Sequence, residues 1–397
     1  MLAAFPCLAQ QAIPPDPYLL AKIRVKAEEN VNHLPNYTCL QTIERTHRAA
    51  PTKKFFVVDM VRLEVAFVGG KETWGWPGAD KMAETDIEKL VSGTIGSGDF
   101  AIVYRNLFLT NAATFTFGGL VEWRGHQAVR FDYRVMLLDS AYHLKSPPYD
   151  EVVPFHGSFW ADAETLDVLR IEMIADDIPP SIRIVAASNT LEYERVPIAG
   201  ATFLLPKDSE LQLTDVGGTE NRNVTHFAAC RQFTGESKLS FADPPPDAPA
   251  TLRPASREVT IPEQLEVEIE LETAIDSDAS AVGDLVKAKV RGNVKEHGRI
   301  LVPKGTEITG RIRVLRKVGS SYVLDINFLS LDFDGGHADL SDRSNSMMRA
   351  MVSSFTSTPG STPEMRGFNA GPAEGRLLYP VGVRLQFIST LLKSKDR

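Results

Sequence analysis

The chain has 397 residues, of which 43% are hydrophobic and 24% charged, and its formal net charge is −8. This composition is typical of a globular protein and excludes a long disordered chain. The length predicts two or three domains. The acidic balance argues against nucleic acid as a partner, because phosphate binding requires clustered Lys and Arg. No stretch approaches the roughly 20 apolar residues that span a bilayer, so we predict no transmembrane helix.

Residues 1–11 have the pattern of the end of a signal peptide, with Cys7 and Ala9 as the small residues before a cleavage site. The basic start and most of the apolar run are missing, which places the true translation start upstream. A disordered N-terminus is the alternative. Export removes Cys7 and leaves Cys39 and Cys230, each in a predicted strand, as either a disulfide or two separate buried thiols.

Residues 15–242 are predicted to form one antiparallel sheet with helices on its concave face. Apolar spacing over Pro17–Leu34 predicts an amphipathic helix, and shorter helices are predicted at Thr85–Val91 and after Gly98. Short turns between the strands predict a meander, not a βαβ sheet. The predicted strands are Tyr37–His47, Phe55–Ala66, Phe67–Trp76, Thr114–Trp123, Gln127–Val135, Gly157–Asp162, Val168–Ile174, Ser188–Val196, Thr202–Leu213 and Thr219–Phe233.

The proline-rich segment Asp243–Ser256 is predicted to be a semi-rigid linker, because proline lacks the N–H that pairs in a sheet. From Arg257 onward 19 basic residues balance 19 acidic ones, so the net charge of −8 belongs to the part before it.

Residues 257–392 are predicted to form a second, small β-barrel. Alternating Glu and apolar residues over Glu266–Leu271 predict a strand with one acidic, wet face and one buried face. A flexible insertion is expected at 345–375, with a short helix at Ser346–Ser354. The predicted strands are Glu263–Leu271, Leu285–Val294, Arg299–Val302, Glu307–Lys317, Ser321–Leu331, His337–Leu340 and Val383–Leu391.

The search for catalytic motifs is negative: there is no nucleophile elbow, zinc-protease motif or P-loop. Gly96–Ala101 has the spacing of a dinucleotide fingerprint, but it follows a helix, so we interpret it as a turn between helices. Asp332–Asp339 lacks the spacing of a calcium loop, and its Asp-Gly-Gly predicts a hairpin. The scattered His residues predict no metal site. We therefore expect no catalytic residue and no cofactor; a hydrolase has only scattered polar residues in its favour.

Large apolar side chains allow two interpretations, either as ordinary core or as the lining of an apolar cavity between sheet and helices that suits an acyl chain. The candidate cavity residues are Trp74, Trp76, Phe100, Tyr104, Leu107, Phe108 and Trp160.

Residues 15–242 resemble the LolA/LolB-like superfamily of periplasmic lipid and lipoprotein carriers. The amphipathic opening helix leads into Asn36–Arg45, and the segments Gly157–Asp162, Asp167–Glu172 and Val196–Pro206 carry the rest of the similarity. The resemblance implies an unclosed antiparallel half-barrel with a helical lid over an apolar cavity. No ligand-binding residue of the family maps onto a position of this sequence.

Residues 257–392 look like a TrbI-type β-barrel of secretion channels, on the evidence of Ala281–Val290, Gly298–Thr306 and Leu378–Phe387. The resemblance implies a barrel that docks to an envelope protein.

The sequence thus predicts a non-catalytic bacterial cell-envelope protein, periplasmic or otherwise exported, with outer-membrane association as one option. Its predicted partner is a lipid, acyl chain or lipoprotein in the N-terminal cavity. The alternative is a structural or assembly module with a filled core and no small-molecule ligand.

Overall fold

The computed structural model describes residues 16–50, 52, 54–69, 71–78, 82, 86–233, 257–258, 266–318, 321–333, 336–340, 349–352, 368–372 and 376–388. The predicted linker 243–256 and residues 1–11 lie outside the described residues, so those predictions stay open. The helices are α1 Asp16–Asn32 and α2 Ile102–Leu109, with single 3₁₀ turns at Ile87–Lys89 and Leu137–Asp139.

The first twelve strands belong to the N-terminal half of the chain. They are β1 Tyr37–Arg48, β2 Phe56–Val68, β3 Lys71–Gly75, β4 Ala113–Trp123, β5 His126–Val135, β6 His143–Ser146, β7 Tyr149–Val152, β8 Phe155–Asp162, β9 Val168–Ala175, β10 Ile184–Ile198, β11 Ala201–Asp215 and β12 Glu220–Gln232. Ten of them form one sheet in the order β3-β2-β1-β12-β11-β10-β9-β8-β5-β4, with every pair antiparallel. We call this the N-terminal sheet. The hairpin of β6 and β7 stands apart from it.

The remaining strands follow residue 256. They are β13 Arg257–Glu258, β14 Glu266–Leu271, β15 Ile275–Asp276, β16 Leu285–Val290, β17 Val294–Glu296, β18 Arg299–Val302, β19 Glu307–Val318, β20 Ser321–Phe333, β21 Gly336–Asp339, β22 Arg349–Val352, β23 Phe368–Pro372, β24 Leu378–Tyr379 and β25 Arg384–Ile388. Nine of them form a second sheet in the order β13-β21-β20-β19-β16-β14-β25-β22, with β23 paired to β20. We call this the C-terminal sheet. The predicted fold class, mainly β with a few helices and an open, curved antiparallel sheet under a helical lid, is confirmed. The second sheet includes one parallel pair, β13 with β21, and its closure into a small barrel stays a prediction.

The N-terminal sheet has helices on one face because both helices carry an apolar stripe. Side chains four residues apart on a helix share a face, and the stripe of α1 is buried at every such position: Leu19, Ile23, Ala27 and Val31. In α2 the buried positions are Tyr104, Leu107 and Phe108. These side chains pack on inward-facing residues of the sheet, which alternate along each strand: Val129, Phe131, Tyr133, Phe159 and Ile171. We call α1 and α2 together the lid.

A disulfide joins Cys39 on β1 to Cys230 on β12, its direct neighbour in the N-terminal sheet. The two residues are 191 positions apart in sequence, and their Cα atoms are 4.1 Å apart. The bond therefore links the first strand of this sheet to its last. Closing so long a loop stabilises the fold by restricting the unfolded chain.

The C-terminal sheet encloses its own core, and β14 shows the alternation that the sequence predicts. Val267, Ile269 and Leu271 are buried, while Glu268 and Glu272 are exposed on the other side.

The predicted elements and the structure differ in several places, among them the predicted strand Leu285–Val294, which is two strands, β16 and β17. Phe67 belongs to β2, because the chain turns only after Val68 and the next strand begins at Lys71. The helix predicted at Thr85–Val91 is a single 3₁₀ turn, in which the Asp86 side chain accepts a hydrogen bond from the backbone N–H of Glu88. The hairpin β6–β7 is absent from the predicted strands, since His143–Val152 has too short an alternation to stand out.

Within the predicted flexible insertion 345–375, the described residues Arg349–Val352 and Phe368–Pro372 form two strands, β22 and β23, which pair with β25 and β20. The other residues of the insertion lie outside the described ones, so the prediction of flexibility stays open there. The short helix predicted at Ser346–Ser354 is therefore wrong over Arg349–Val352. Pairing with a distant strand decides the conformation there, and the local sequence pattern carries no signal of that pairing.

The two sheets are joined by backbone and side-chain contacts. Arg62 of β2 donates its N–H to the carbonyl of Val282 at 2.7 Å, and the N–H of Val282 donates to the carbonyl of Met60 at 2.8 Å. The Arg62 guanidinium also donates to both carboxylate oxygens of Asp284, at 2.6 and 2.5 Å. The junction is thus a short piece of shared β-structure reinforced by a half-buried ion pair.

Gly283 sits at the centre of this junction, with φ +107°. A Cβ at this position would lie 2.2 Å from the carbonyl oxygen of Arg62, so only glycine allows the two sheets to meet. We predict that Gly283→Ala separates the sheets, which small-angle scattering would detect as a larger radius of gyration.

Gly119 provides the matched control, because its φ is +106° and nothing lies within 4 Å of the place that a Cβ would take there. Gly119→Ala carries the same backbone strain, of order 1 kcal/mol, without the clash. Equal radii of gyration for the two variants would contradict the described junction.

Candidate functional site

A cavity lies where the lid meets the N-terminal sheet. Its volume is about 20 Å³, which is room for roughly one water molecule. It opens between the end of α1 and the first turn of α2. Its lining is mainly apolar and consists of Asn30, Val31, Leu34, Tyr37, Phe67, Phe100, Ala101, Tyr104, Arg105, Tyr193, Leu204 and Pro206. We call it the lid cavity.

Two tyrosine hydroxyls in the lining have no hydrogen-bond partner. The rings of Tyr104 on α2 and Tyr193 on β10 are 5.2 Å apart, and both side chains are buried. Neither hydroxyl makes a hydrogen bond within the described structure. Tyr104 lies beside the Asn30 amide, whose nitrogen donates to Asp167 at 3.2 Å, but the geometry does not complete a bond to the hydroxyl. Burial raises the pKa of both tyrosines, so both hydroxyls keep their protons at neutral pH.

Arg105 stands at the mouth of the lid cavity, half-buried, with its guanidinium 5.7 Å from the ring centre of Phe67. It forms no ion pair with any of the residues that the structure describes. A guanidinium in this position can bind an anionic group at the cavity entrance by donating hydrogen bonds to it.

Glu72 of β3 fixes the start of α2 to the edge of the sheet. Its carboxylate is 4% exposed and accepts three backbone hydrogen bonds, from Gly98 at 3.0 Å, Ala101 at 2.7 Å and Ile102 at 3.1 Å. Burial raises the pKa of Glu72 from its ordinary 4.5 to about 7, against the lowering effect of these N–H donors. Glu72 therefore changes charge near neutral pH.

Asp99 fixes the same segment to the middle of the sheet. It accepts hydrogen bonds from the Asn189 amide nitrogen at 2.6 Å and from the Ser209 hydroxyl at 2.7 Å. Burial raises the pKa of Asp99, and the two side-chain donors oppose that shift. Residues 98–102 are thus held from two sides by buried carboxyl groups. The stretch interpreted above as a turn between helices is this anchored segment.

The structure brings two of the predicted cavity residues to the lid cavity: Phe100 and Tyr104. Trp74 is buried beside it and donates to Gln41 at 3.2 Å. Leu107 and Phe108 fill the core under α2.

Trp76 and Trp160 lie elsewhere. Trp76 faces the C-terminal sheet, with the guanidinium carbons of Arg311 and Arg313 5.8 and 5.9 Å from its ring centre. Trp160 is on the outer face of the N-terminal sheet, 5.9 Å from Trp123. It alternates with Phe159, which points under the lid, so its direction follows from the two-residue period of the strand.

Sequence reasoning missed Glu72, Asp99 and Tyr193. Glu72 lies in a short polar strand, and only its burial against the segment 98–102 distinguishes it from a surface residue. Asp99 was visible as a polar residue next to the predicted helix, but its partners lie 90 and 110 positions away.

A second, polar opening of about 800 Å³ lies between the two sheets. Among its lining residues Arg45 makes a two-pronged ion pair with Asp59, at 2.7 and 2.6 Å. Arg313 and Asp325 line the opposite wall, and burial raises the pKa of Asp325.

No group of His, Cys, Asp and Glu among the described residues is arranged to hold a metal ion. In the same parts of the chain, neither helix has the length and apolar character that a membrane span requires.

Comparison with known proteins gives structural likenesses only. Neither a family model nor a curated protein matches the sequence. The chain is similar to a LolA superfamily protein from Nitrosomonas europaea, at 12% identity and a TM-score of 0.30, covering 55% of this chain and 96% of that one.

Two further solved structures are similar to a comparable extent. A DUF1329 family protein from Desulfovibrio piger has 14% identity and a TM-score of 0.28, over 57% of this chain and 96% of that one. A domain from Vibrio parahaemolyticus named as an outer membrane lipoprotein-sorting protein has 10% identity and a TM-score of 0.31, over 55% and 93%. Likeness at these scores carries no argument for a function. The TrbI-type resemblance of residues 257–392 has no support in these matches and stays a prediction.

The raised pKa of Glu72 predicts how the stability of the fold changes with pH. The folded chain holds the Glu72 proton more tightly than the unfolded chain, so this contribution is fully present below pH 4.5 and is lost as the pH rises to about 7. The loss is about 3 kcal/mol. Glu72→Gln should remove this part of the slope, as measured by urea unfolding at pH 5 and pH 8.

Glu122→Gln, on an exposed position of β4, is the control and should keep the slope of the parent protein. The Asp99 carboxyl group is present in all three proteins, so the difference between their slopes reports Glu72 together with its interaction with Asp99. A parent and a Glu72→Gln variant with the same slope would contradict the assigned burial of this carboxyl group.

Proposed function

We propose that this chain is a non-catalytic cell-envelope protein that binds an acyl chain, of a lipid or lipoprotein, between the lid and the N-terminal sheet. The observation that carries the proposal is the lid cavity, a mainly apolar space under two helices with an arginine at its mouth. Pockets that hold small molecules are about 300–1,000 Å³. The lid cavity is far smaller, so this proposal takes the described state as the closed one and requires the lid to move when a ligand binds.

The attachment of the lid is compatible with such movement. Arg24 of α1 donates to the carbonyl oxygens of Phe108 at 3.0 Å and Thr110 at 2.7 Å, so α1 and α2 are tied to each other. Among the described residues, α1 makes one side-chain hydrogen bond towards the sheet, from Asn30 to Asp167, which directly precedes β9. Apolar side-chain packing supplies its other contacts with the sheet. Side-chain packing is non-directional, so an acyl chain can replace the contacts that the helices give up.

Export to an oxidising compartment is part of the proposal. The disulfide between Cys39 and Cys230 supports it, because such bonds persist outside the reducing cytosol. We further propose that the C-terminal sheet docks to another envelope protein, since the junction at Gly283 holds it in a fixed place beside the N-terminal sheet.

A structural or assembly module without a ligand is the second candidate. The observation that favours it is the filled interior: the residues beneath the lid pack against one another and leave only about 20 Å³. In that case the lid is permanent core, and the protein acts through its surfaces.

Acyl-chain binding can be tested with 1-dodecanoyl-glycerol-3-phosphate, a single-chain lipid, by titration calorimetry below its micelle concentration. The half-buried Leu34 lies at the cavity rim, so Leu34→Trp should block the entrance and raise the Kd at least tenfold. Val25→Trp, on the exposed side of α1, is the control and should bind like the parent protein. A parent protein that takes up no probe would favour the assembly module.

A further inference from the structure

The two unpartnered hydroxyls of the lid cavity are unusual, because buried polar groups are nearly always hydrogen-bonded. An unsatisfied buried hydroxyl costs about 1–3 kcal/mol, which phenylalanine at the same position would avoid. Tyr104 and Tyr193 line the same cavity from opposite sides, one from the lid and one from the sheet. Their rings are 5.2 Å apart and their hydroxyls retain their protons at neutral pH, so each hydroxyl can donate to an acceptor of a ligand in the cavity.

The charges around the cavity restrict what that acceptor can be. Glu72 and Asp99 lie on the inner side, and both raise the pKa of Tyr193 by their proximity. Burial already disfavours the charged form of both carboxyl groups, and a ligand anion beside them would add to the cost of ionising either one. Arg105, at the mouth, is the cation of the lining. Asp167 already forms a bidentate salt bridge with Arg195, with N···O distances of 2.6 and 2.7 Å. The site therefore favours a neutral hydrogen-bond acceptor beside the two tyrosines and an anionic group at the mouth, beside Arg105.

From this arrangement we infer that the cavity recognises the carbonyl oxygen of an ester- or amide-linked acyl chain through the Tyr104 and Tyr193 hydroxyls, with an anionic head group at Arg105. The inference rests on the proposed function and narrows it from any apolar chain to an acyl chain that carries a carbonyl. A bare hydrocarbon chain would leave both hydroxyls unsatisfied in the bound state as well.

A pair of ligands isolates the carbonyl: 1-dodecanoyl-glycerol-3-phosphate and its 1-O-dodecyl ether analogue share the chain and the phosphate. The parent protein should bind the ester at least tenfold more tightly than the ether. Tyr193→Phe should weaken ester binding about tenfold, the loss of one good hydrogen bond, and leave ether binding unchanged. Arg105→Gln should weaken both ligands equally.

Tyr142→Phe is the matched control. Its hydroxyl is also buried without a partner, but it lies outside the lid cavity. Both Tyr→Phe variants should raise the melting temperature of the free protein by about 2 °C or more, because each removes an unsatisfied group. Only Tyr193→Phe should change the ratio of ester to ether affinity.

The outcomes separate this inference from the proposed function. A parent protein that binds both ligands equally overturns the inference and leaves acyl-chain binding standing. A parent protein that binds neither overturns both. If Tyr193→Phe keeps the parent's melting temperature and ester affinity, a water molecule satisfies the hydroxyls and the inference is wrong.

Discussion

The burial of two carboxyl groups at the start of α2 is the constraint on which the rest of the N-terminal half depends. The sheet has an apolar concave face that must be covered, and the lid covers it by non-directional packing. Glu72 and Asp99 supply the direction, since they hold residues 98–102 by backbone and side-chain hydrogen bonds. Burying these carboxyl groups costs desolvation free energy, and the hydrogen bonds that each group accepts offset part of that cost.

This constraint divides the molecule into a frame held by covalent and ionic links and a lid that the proposed function requires to move. The disulfide between Cys39 and Cys230 joins β1 to β12, the first and last strands of the N-terminal sheet in chain order. The junction of Arg62 with Asp284 joins that sheet to the C-terminal one. The lid is attached by side-chain packing and by two buried carboxyl groups, of which Glu72 changes charge near neutral pH. The proposed acyl-chain binding therefore involves the helices, and the proposed docking to a partner involves the frame.

Much of the fold could be predicted from local patterns, and the site could not. Period-two alternation identifies strands such as β14, and the stripe from Leu19 to Val31 identifies α1. The residues of the site are defined by distant partners: Glu72 is a polar residue in a short strand until residues 98–102 fold over it. Tyr193 looks like any inward-facing strand residue, because its missing hydrogen bond is a property of the assembled core. The strands β22 and β23 escaped prediction for the same reason.

The central claim is that an acyl chain enters beneath the lid and displaces it. Amide hydrogen exchange of the full chain, with and without saturating 1-dodecanoyl-glycerol-3-phosphate, tests this most directly. The account predicts faster exchange at the amides of residues 98, 101 and 102, which lose Glu72 when the lid opens, and no change in β19 and β20. Ligand binding that leaves residues 98–109 unchanged, or that alters only the C-terminal sheet, would contradict it.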